Sequence, residues 1–423
     1  MKFDRVMPMT IIVTPRLTCR ICDSRSLISC LDFGQMSLTG VFSLDGLKVD
    51  KAPLHLGFCG NCGLVQLLHS YSQNALYGID YGYESHLNSS MSSHLQNKAR
   101  ILESRFLEGK KICTVVDIAS NDGTLLAGYT NPRIHKIGID PILEFLEDRY
   151  PENSTKIPSF FNESCIASID PNSIDLVTSL SVLYDLDDPI KFAQGIATIL
   201  RDGGIWHFEQ SYLPSMIKTL SYDTICHEHL LYLSLHDIMN ILNQSGFTIL
   251  DASLNSINGG SIAVTAVKSN SRTIADPFVD FLLNSEIAIG LKNGNALLDF
   301  ATKTRFHNSE FRNLISNYRK QGKTIFGLGA STKGNVLLQA AEISDEEIVA
   351  IGDINPKKFG KRTPGTNIPI ISETELVKKS NVDSIYLILP WHFRQNIIGN
   401  CQEVLNKNGR FLIPLPDLEV VSN

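Results

Sequence analysis

The sequence predicts an α/β protein in which two Rossmann-like, doubly wound lobes follow a small cysteine-rich N-terminal unit. Three observations carry this reading. Apolar, β-branched segments ending in an acid lie at 112–117 and 136–140, further strands read at 173–178 and 203–209, and helical stretches fall between them. Strands alternating with helices imply a parallel sheet with its ligand at the strands' carboxyl ends. The same strand, glycine turn, helix grammar returns at 323–335, and four of the nine cysteines form two C-x2-C pairs before residue 63.

At 423 residues the chain exceeds what one core usually organises. Three domains are expected, at 1–70, 71–265 and 266–423. Hydrophobic content of 43% and charged content of 19% describe an ordinary folded protein. The formal charge of −6 argues against a nucleic-acid partner, and an anionic ligand must then be held by local amides and a few cations. No apolar run approaches the roughly 18 to 20 residues of a membrane span. The apolar patch at 9–13 lacks the long core of a signal peptide, so a cytoplasmic location is expected.

Taking the chain in order, Cys19-Arg20-Ile21-Cys22 and Cys59-Gly60-Asn61-Cys62 are separated by 36 residues. Each C-x2-C knuckle offers two thiolates from one tight turn, and two knuckles can close a tetrahedron around Zn²⁺. With no open ligand position evident, the metal is expected to be structural. The separation implies a small β-rich insert at 34–56. Next, residues 77–94 are rich in tyrosine, serine and histidine and poor in aliphatics, which suits a lid or helix facing a polar ligand.

The first crossover indicates its ligand. A dinucleotide turn carries G-x-G-x-x-G so that a pyrophosphate can approach a helix N-terminus. The turn from Asp117 through Ala119, Asn121, Asp122 and Gly123 has one glycine and two carboxylates, and is expected to open into a helix. Such a turn repels pyrophosphate and suits a cationic cofactor with an amino group and a sulfonium, namely S-adenosylmethionine. Asp140, at the end of the second strand, is placed to accept from ribose hydroxyls. Glu209, at the end of a later strand, could read substrate or cofactor, while 258–261 reads as a tight structural turn.

Between these comes the octet Tyr222-Asp223-Thr224-Ile225-Cys226-His227-Glu228-His229. Two imidazoles flanking a carboxylate are what proton transfer near neutral pH needs. The same cluster could ligate a metal or cap a helix, and either His227 or His229 could be the imidazole that faces inward. Further on, the second glycine turn holds Ser331 and Lys333 and no acid, which suits a phosphate. Asp353 ends the next strand, and Trp391 and His392 follow a strand at 384–389 as cleft candidates.

Together, the two cysteine knuckles, Asp117-Ile118-Ala119-Ser120-Asn121-Asp122-Gly123, the tyrosine-rich Tyr81-Gly82-Tyr83-Glu84-Ser85 and Asp223-Thr224-Ile225-Cys226-His227-Glu228-His229 resemble the sugar C-methyltransferases of deoxysugar biosynthesis. The resemblance runs from about residue 19 to the C-terminus. It implies a small zinc-binding domain, a Rossmann-like S-adenosylmethionine methyltransferase domain and a second, Rossmann-like, sugar-nucleotide-binding domain. The implied substrate is a nucleotide-linked 4-keto-6-deoxyhexose, methylated next to the ketone, expected at C3. This chain departs from the family in carrying Ala119 for a common glycine, Tyr184 for a histidine and Cys226 for a tyrosine.

A carbon next to a ketone attacks a sulfonium methyl only after losing its proton as an enolate. That demands a base, a stabiliser for the oxyanion and rigid alignment. His229 is the expected base, Glu228 its partner or a hydroxyl ligand, and Tyr81 or Tyr83 the expected donor to the enolate oxygen. Cys226, a poor hydrogen-bond donor, can only line the site. Two other readings compete: an NAD(P)-dependent oxidoreductase using the second glycine turn, and a zinc-ribbon adaptor without activity.

Overall fold

The computed structural model describes residues 11–44, 48–77, 84–144, 150–268, 275–379, 384–401, 404 and 408–422. Near the N-terminus, strands Leu27–Ser37, Lys51–Cys59 and Val65–Leu67 pair antiparallel. The fourth strand of that sheet, Leu231–Tyr232, arrives from far along the chain and pairs with Val65 and Gln66. The segment immediately after the His-Glu-His motif is thus woven into the cysteine-bearing sheet.

The middle of the chain builds a seven-stranded sheet in the spatial order Phe247–Asn255, Ser261–Lys268, Leu200–Ser211, Ile174–Leu180, Cys113–Ile118, Ile134–Ile139, Ser154–Ile157. The last five run parallel and the first two form an antiparallel hairpin on the edge. Val115, Val116, Leu176 and Val177 are all buried, the continuous apolar pattern of strands covered on both faces. Strand order reverses beside Cys113–Ile118, which places the expected ligand cleft at the carboxyl end of that strand.

One expectation fails here. The turn after Cys113–Ile118 does not open into an α-helix; only a 3₁₀ turn, Leu126–Gly128, precedes the next strand. Helix Ser89–Leu102 lies across that position. A Cβ on Gly128 would stand 2.7 Å from Ala99 Cβ and 2.8 Å from the Gln96 backbone. Asn131 and Pro132 then prevent the turn from extending. The helical face that the sequence assigns to 124–131 is supplied by an earlier segment.

The C-terminal part builds a six-stranded sheet in the order Ile370–Ser372, Ile351–Asp353, Ile325–Leu328, Ile385–Ile388, Arg410–Ile413, Glu419–Val421, parallel except at its last edge. Here the glycine turn does open into a helix, Thr332–Ala340, with Ser331 as N-cap accepting from Gly334 N at 3.0 Å. Gly329 (φ +79°) stands where a Cβ would meet Pro390 at 2.6 Å, so only glycine fits that bend. Helices Pro277–Ala288 and Asn295–Lys320 span the two large sheets. His307 fixes one crossing: its Nε2 donates to Pro414 O (2.6 Å), so its Nδ1 accepts from the Tyr222 hydroxyl (2.9 Å).

The cysteine-bearing unit and the C-terminal part are sewn together directly. Ser43–Leu44 pairs with Lys361–Arg362, and Asn335 Nδ2 donates to Thr39 O at 2.7 Å. Gln339 clamps Ser37 from both sides, accepting from its N–H (2.8 Å) and donating to its C=O (3.2 Å). Because both bonds come from one amide, Gln339→Ala should cost about 1–2 kcal/mol. Chemical denaturation reads this directly, and an unchanged midpoint would show the clamp to be idle.

Candidate active site

The His-Glu-His segment lies where three parts of the chain meet. Asp223, fully buried, accepts from the Trp391 indole N–H at 2.8 Å. That indole covers the bend at 258–260, and a Cβ on Gly259 would reach the ring at 3.2 Å. On the opposite side Thr39 donates its hydroxyl to Glu228 at 3.5 Å, and a Cβ on Gly40 would collide with Glu228 Oε1 at 2.6 Å. Gly40 is therefore a close-approach glycine that leaves room for a buried carboxyl.

The structure separates the two imidazoles that the sequence left open. His227 is fully buried and turned toward the cysteine-bearing sheet, 3.2 Å from Ala52 O and edge-on to Tyr71 at 5.0 Å. His229 instead lines a small cavity of about 10 Å³ with Tyr184, Ser211, Tyr212, Thr224 and Tyr232. Its Nδ1 lies 2.8 Å from Thr224 O; because a carbonyl can only accept, Nδ1 carries the proton and Nε2 keeps its lone pair. Burial lowers the imidazole's pKa to about 4, the Lys333 ammonium pushing the same way. At neutral pH His229 is an uncharged base braced against Tyr184, whose ring centroid is 4.3 Å away.

The surrounding charges are held away from their ordinary ionisation. Burial raises Glu228, and it raises Asp185 well above the usual carboxylate range, Glu228 adding repulsion there. Burial likewise raises Asp223, opposed by Lys333. Lys333 donates to Asn258 O at 2.7 Å, and burial lowers its pKa while Asp223 and Cys226 oppose that. Lys333 is thus directed into the junction. His392, lowered well below its usual value first by burial and then by Lys333, keeps a buried Nδ1 without a hydrogen-bond partner. Helix Thr332–Ala340 packs directly on the 222–224 turn and carries Lys333 there.

At the other expected site, Asp117 ends its strand fully enclosed, accepting from Thr178 Oγ1 at 2.6 Å. Burial pushes it up to about 7, with the Thr178 bond opposing and Asp140 repulsion adding. Ala119 and Asn121 take left-handed φ values of 56° and 48°, carrying the chain sharply over the strand end. Asp140 accepts one backbone N–H on each oxygen, Asn121 N at 2.9 Å and Ile142 N at 3.0 Å, which leaves acceptor capacity for hydroxyls. A carboxylate-rich strand end with spare acceptors fits a cationic, hydroxyl-bearing cofactor and opposes a pyrophosphate.

Asn121 and Asp122 do a further job. Asn121 Oδ1 accepts from Ser85 N (3.1 Å), and Asp122 accepts from both the backbone and ring nitrogens of His86 (2.8 Å each) and from Thr124. Burial alone would raise Asp122, but these bonds outweigh it and lower its pKa. Tyr150 lies over Gly123 and Gly138, where a Cβ would stand 3.0 and 2.4 Å from its ring, and its hydroxyl donates to Asn121 O.

Glu209 is saturated by His94 (2.7 Å), Lys98 (2.6 Å) and Asn255 (2.9 Å), which outweigh burial and hold it at about 2. It anchors helix Ser89–Leu102 to the sheet. Tyr81 and Tyr83 lie outside the described residues. Sequence reasoning did not single out Ser211, Thr224 or Tyr232 as site residues; Tyr232, a polar-tipped side chain directly after Leu230 and Leu231, was the available signal.

At the N-terminus, the sulfurs of Cys19, Cys22, Cys59 and Cys62 all lie within 4.8 Å of one another. A tetrahedral ion with S–metal bonds of about 2.3 Å sets sulfurs about 3.8 Å apart, so the donor set fits Zn²⁺. Arg20, inside the first knuckle, donates to Leu67 O, His69 O and Asp187, tying the cysteine cluster to the middle of the chain.

Three family models match: a zinc binding domain at residues 19–77, a methyltransferase domain at 83–252 and a C-methyltransferase C-terminal domain at 256–416. The chain is 28% identical to the C-methyltransferase NovU of Streptomyces niveus, over 97% of this chain and 98% of the relative. Looser likenesses to solved structures cover under half of the chain. They include the CurJ carbon methyltransferase (10% identity, 44% of this chain and 57% of that one, TM-score 0.35) and a Burkholderia thailandensis N1-methyltransferase (16%, 42% and 80%, TM-score 0.33). With an acid-lined strand end, a four-cysteine cluster and a neutral histidine beside a cavity on the page, the three matched domains and the end-to-end similarity to a C-methyltransferase identify the chain as a methyltransferase enzyme.

Proposed function

We propose that this protein is an S-adenosylmethionine-dependent C-methyltransferase acting on a carbon α to the ketone, at C3, of a nucleotide-linked 4-keto-6-deoxyhexose. The observation that carries the reading is the His229 tautomer: Nδ1–H fixed on Thr224 O and an unprotonated Nε2 beside a cavity. A base of this kind is what enolate formation requires. The C-methyltransferase relative supports transfer to carbon. When bound, S-adenosylmethionine supplies a methyl group on a sulfonium, an electrophile for that carbon.

In this reading Asp117 and Asp140 hold the cofactor's cationic and hydroxyl groups, with Ala119, Asn121, Asp122 and Gly123 shaping the bend. His229 Nε2 takes the proton from the substrate carbon, and Glu228 binds a sugar hydroxyl or polarises the site. The diphosphate is assigned to the turn at Ser331, with Lys333, Trp391 and His392 bordering the substrate. Zn²⁺ on Cys19, Cys22, Cys59 and Cys62 is structural, and the domains divide near residues 70 and 265. Among the described residues no helix is long and apolar enough to cross a membrane.

Four outcomes test this. His229→Asn should keep methyl-donor affinity and lower turnover by on the order of 10² or more. At saturating methyl donor, the wild-type kcat/KM for the sugar should fall as pH drops through about 4, because the neutral imidazole is the active form. Unchanged turnover, or an acid limb near the ordinary histidine value of about 6.5, would remove His229 as base. Since Asp117 attracts a cation only when ionised, methyl-donor affinity measured by calorimetry should strengthen from pH 6 to 8 as this group ionises near 7, and Asp117→Asn should flatten that trend. Cys59→Ser should lose bound zinc and folding together; a metal-free, well-folded, active variant would contradict the structural assignment.

A further inference from the structure

The cavity beside His229 contains polar atoms that the fold leaves unused. Tyr232 lines it and is 4% exposed; the Cys226 backbone N–H meets its oxygen, but the buried hydroxyl's own proton finds no acceptor. The Ser211 hydroxyl, on the same wall, is also buried and unpartnered. A buried hydroxyl proton without an acceptor is unfavourable, so this phenol at the edge of a cavity marks a place where a ligand oxygen belongs. The phenol is also rigidly carried. Leu231–Tyr232 pairs in register with Gln66 and Val65, and Leu67 N donates to Leu230 O at 2.9 Å, so its backbone belongs to a sheet rather than a loop.

We propose that Tyr232 is a further catalytic residue, whose hydroxyl donates a hydrogen bond to the substrate's ketone oxygen and stabilises the enolate formed when His229 removes the neighbouring proton. The inference rests on the function proposed above. The step balances within the substrate and these two side chains. The C–H bond breaks, its proton passes to His229 Nε2, and its electron pair forms the C=C bond as the carbonyl π pair moves onto oxygen. Tyr232 keeps its own proton and shares it with that oxygen. The two groups suit opposite tasks. Burial lowers His229, so that it accepts a proton, and raises Tyr232 well above its usual value, with Cys226 adding to the rise, so that it only donates. Cys226, next to this phenol, is a weak donor and its thiol is likewise raised by burial, so it does not compete.

The test follows proton removal apart from methyl transfer. Wild-type protein and Tyr232→Phe are incubated in D₂O with nucleotide-linked 4-keto-6-deoxyhexoses and no methyl donor, and deuterium at the carbon next to the ketone is followed by NMR. Losing one oxyanion donor should slow exchange, and kcat for methylation, by about 10²–10³-fold, with methyl-donor affinity unchanged and KM for the sugar within about threefold. Exchange and kcat within threefold of wild type overturn the role of Tyr232 while leaving the methyltransferase reading intact. A wild-type protein that neither exchanges nor methylates any of the sugars sinks that reading, and this role with it. Should Tyr232→Phe fold poorly, a ring-fluorinated tyrosine at 232 preserves the packing and makes the phenol more acidic. A changed exchange rate then supports the role, and an unchanged one overturns it.

Discussion

Two residues of strand pairing, Leu231–Tyr232 against Val65–Gln66, constrain the rest of the molecule. They attach the chain just past the His-Glu-His motif to the sheet that carries the cysteine knuckles. The motif therefore cannot move independently of the N-terminal unit. From this follow the opposite facings of His227, packed on Ala52 and Tyr71, and His229, turned to the cavity. A structural metal on the four cysteines would then act on the active loop through this sheet, without taking part in chemistry.

Desolvation sets the electrostatics once that loop is fixed. Glu228, Asp223 and Asp185 are all raised by burial, His229 and Lys333 lowered, so burial biases each of these groups toward its uncharged form. A low-dielectric setting makes each remaining polar contact count for more. A fully formed polar site, Glu209 with His94, Lys98 and Asn255, carries load between elements, while Tyr232 and Ser211, whose hydroxyl protons find no acceptor, border the cavity.

The two glycine turns illustrate how similar grammar reaches different ends. At 117–123 the expected helix is absent because helix Ser89–Leu102 occupies its space, while at 329–334 the helix forms. Yet the acids after the second strands are held alike. Asp140 accepts from Asn121 N and Ile142 N, and Asp353 accepts from Ala330 N and Asn355 N. Local hydrogen-bond demand at a strand end dictates this arrangement in both lobes, whatever follows it.

The sequence by itself determined the class of the fold and the kind of chemistry. Cysteine spacing, strands ending in acids and the histidine-flanked glutamate are short-range patterns, and residues a few places apart fix their geometry. Which imidazole faces the cavity, that Glu209 serves as an anchor, and that Tyr232 lines the same cavity as His229 were decided only by tertiary structure. Each depends on a partner more than forty residues away, such as Ala52 for His227 or His94 for Glu209. Burial and pairing at that range are properties of the packed chain, and no local pattern in residues 222–232 encodes them.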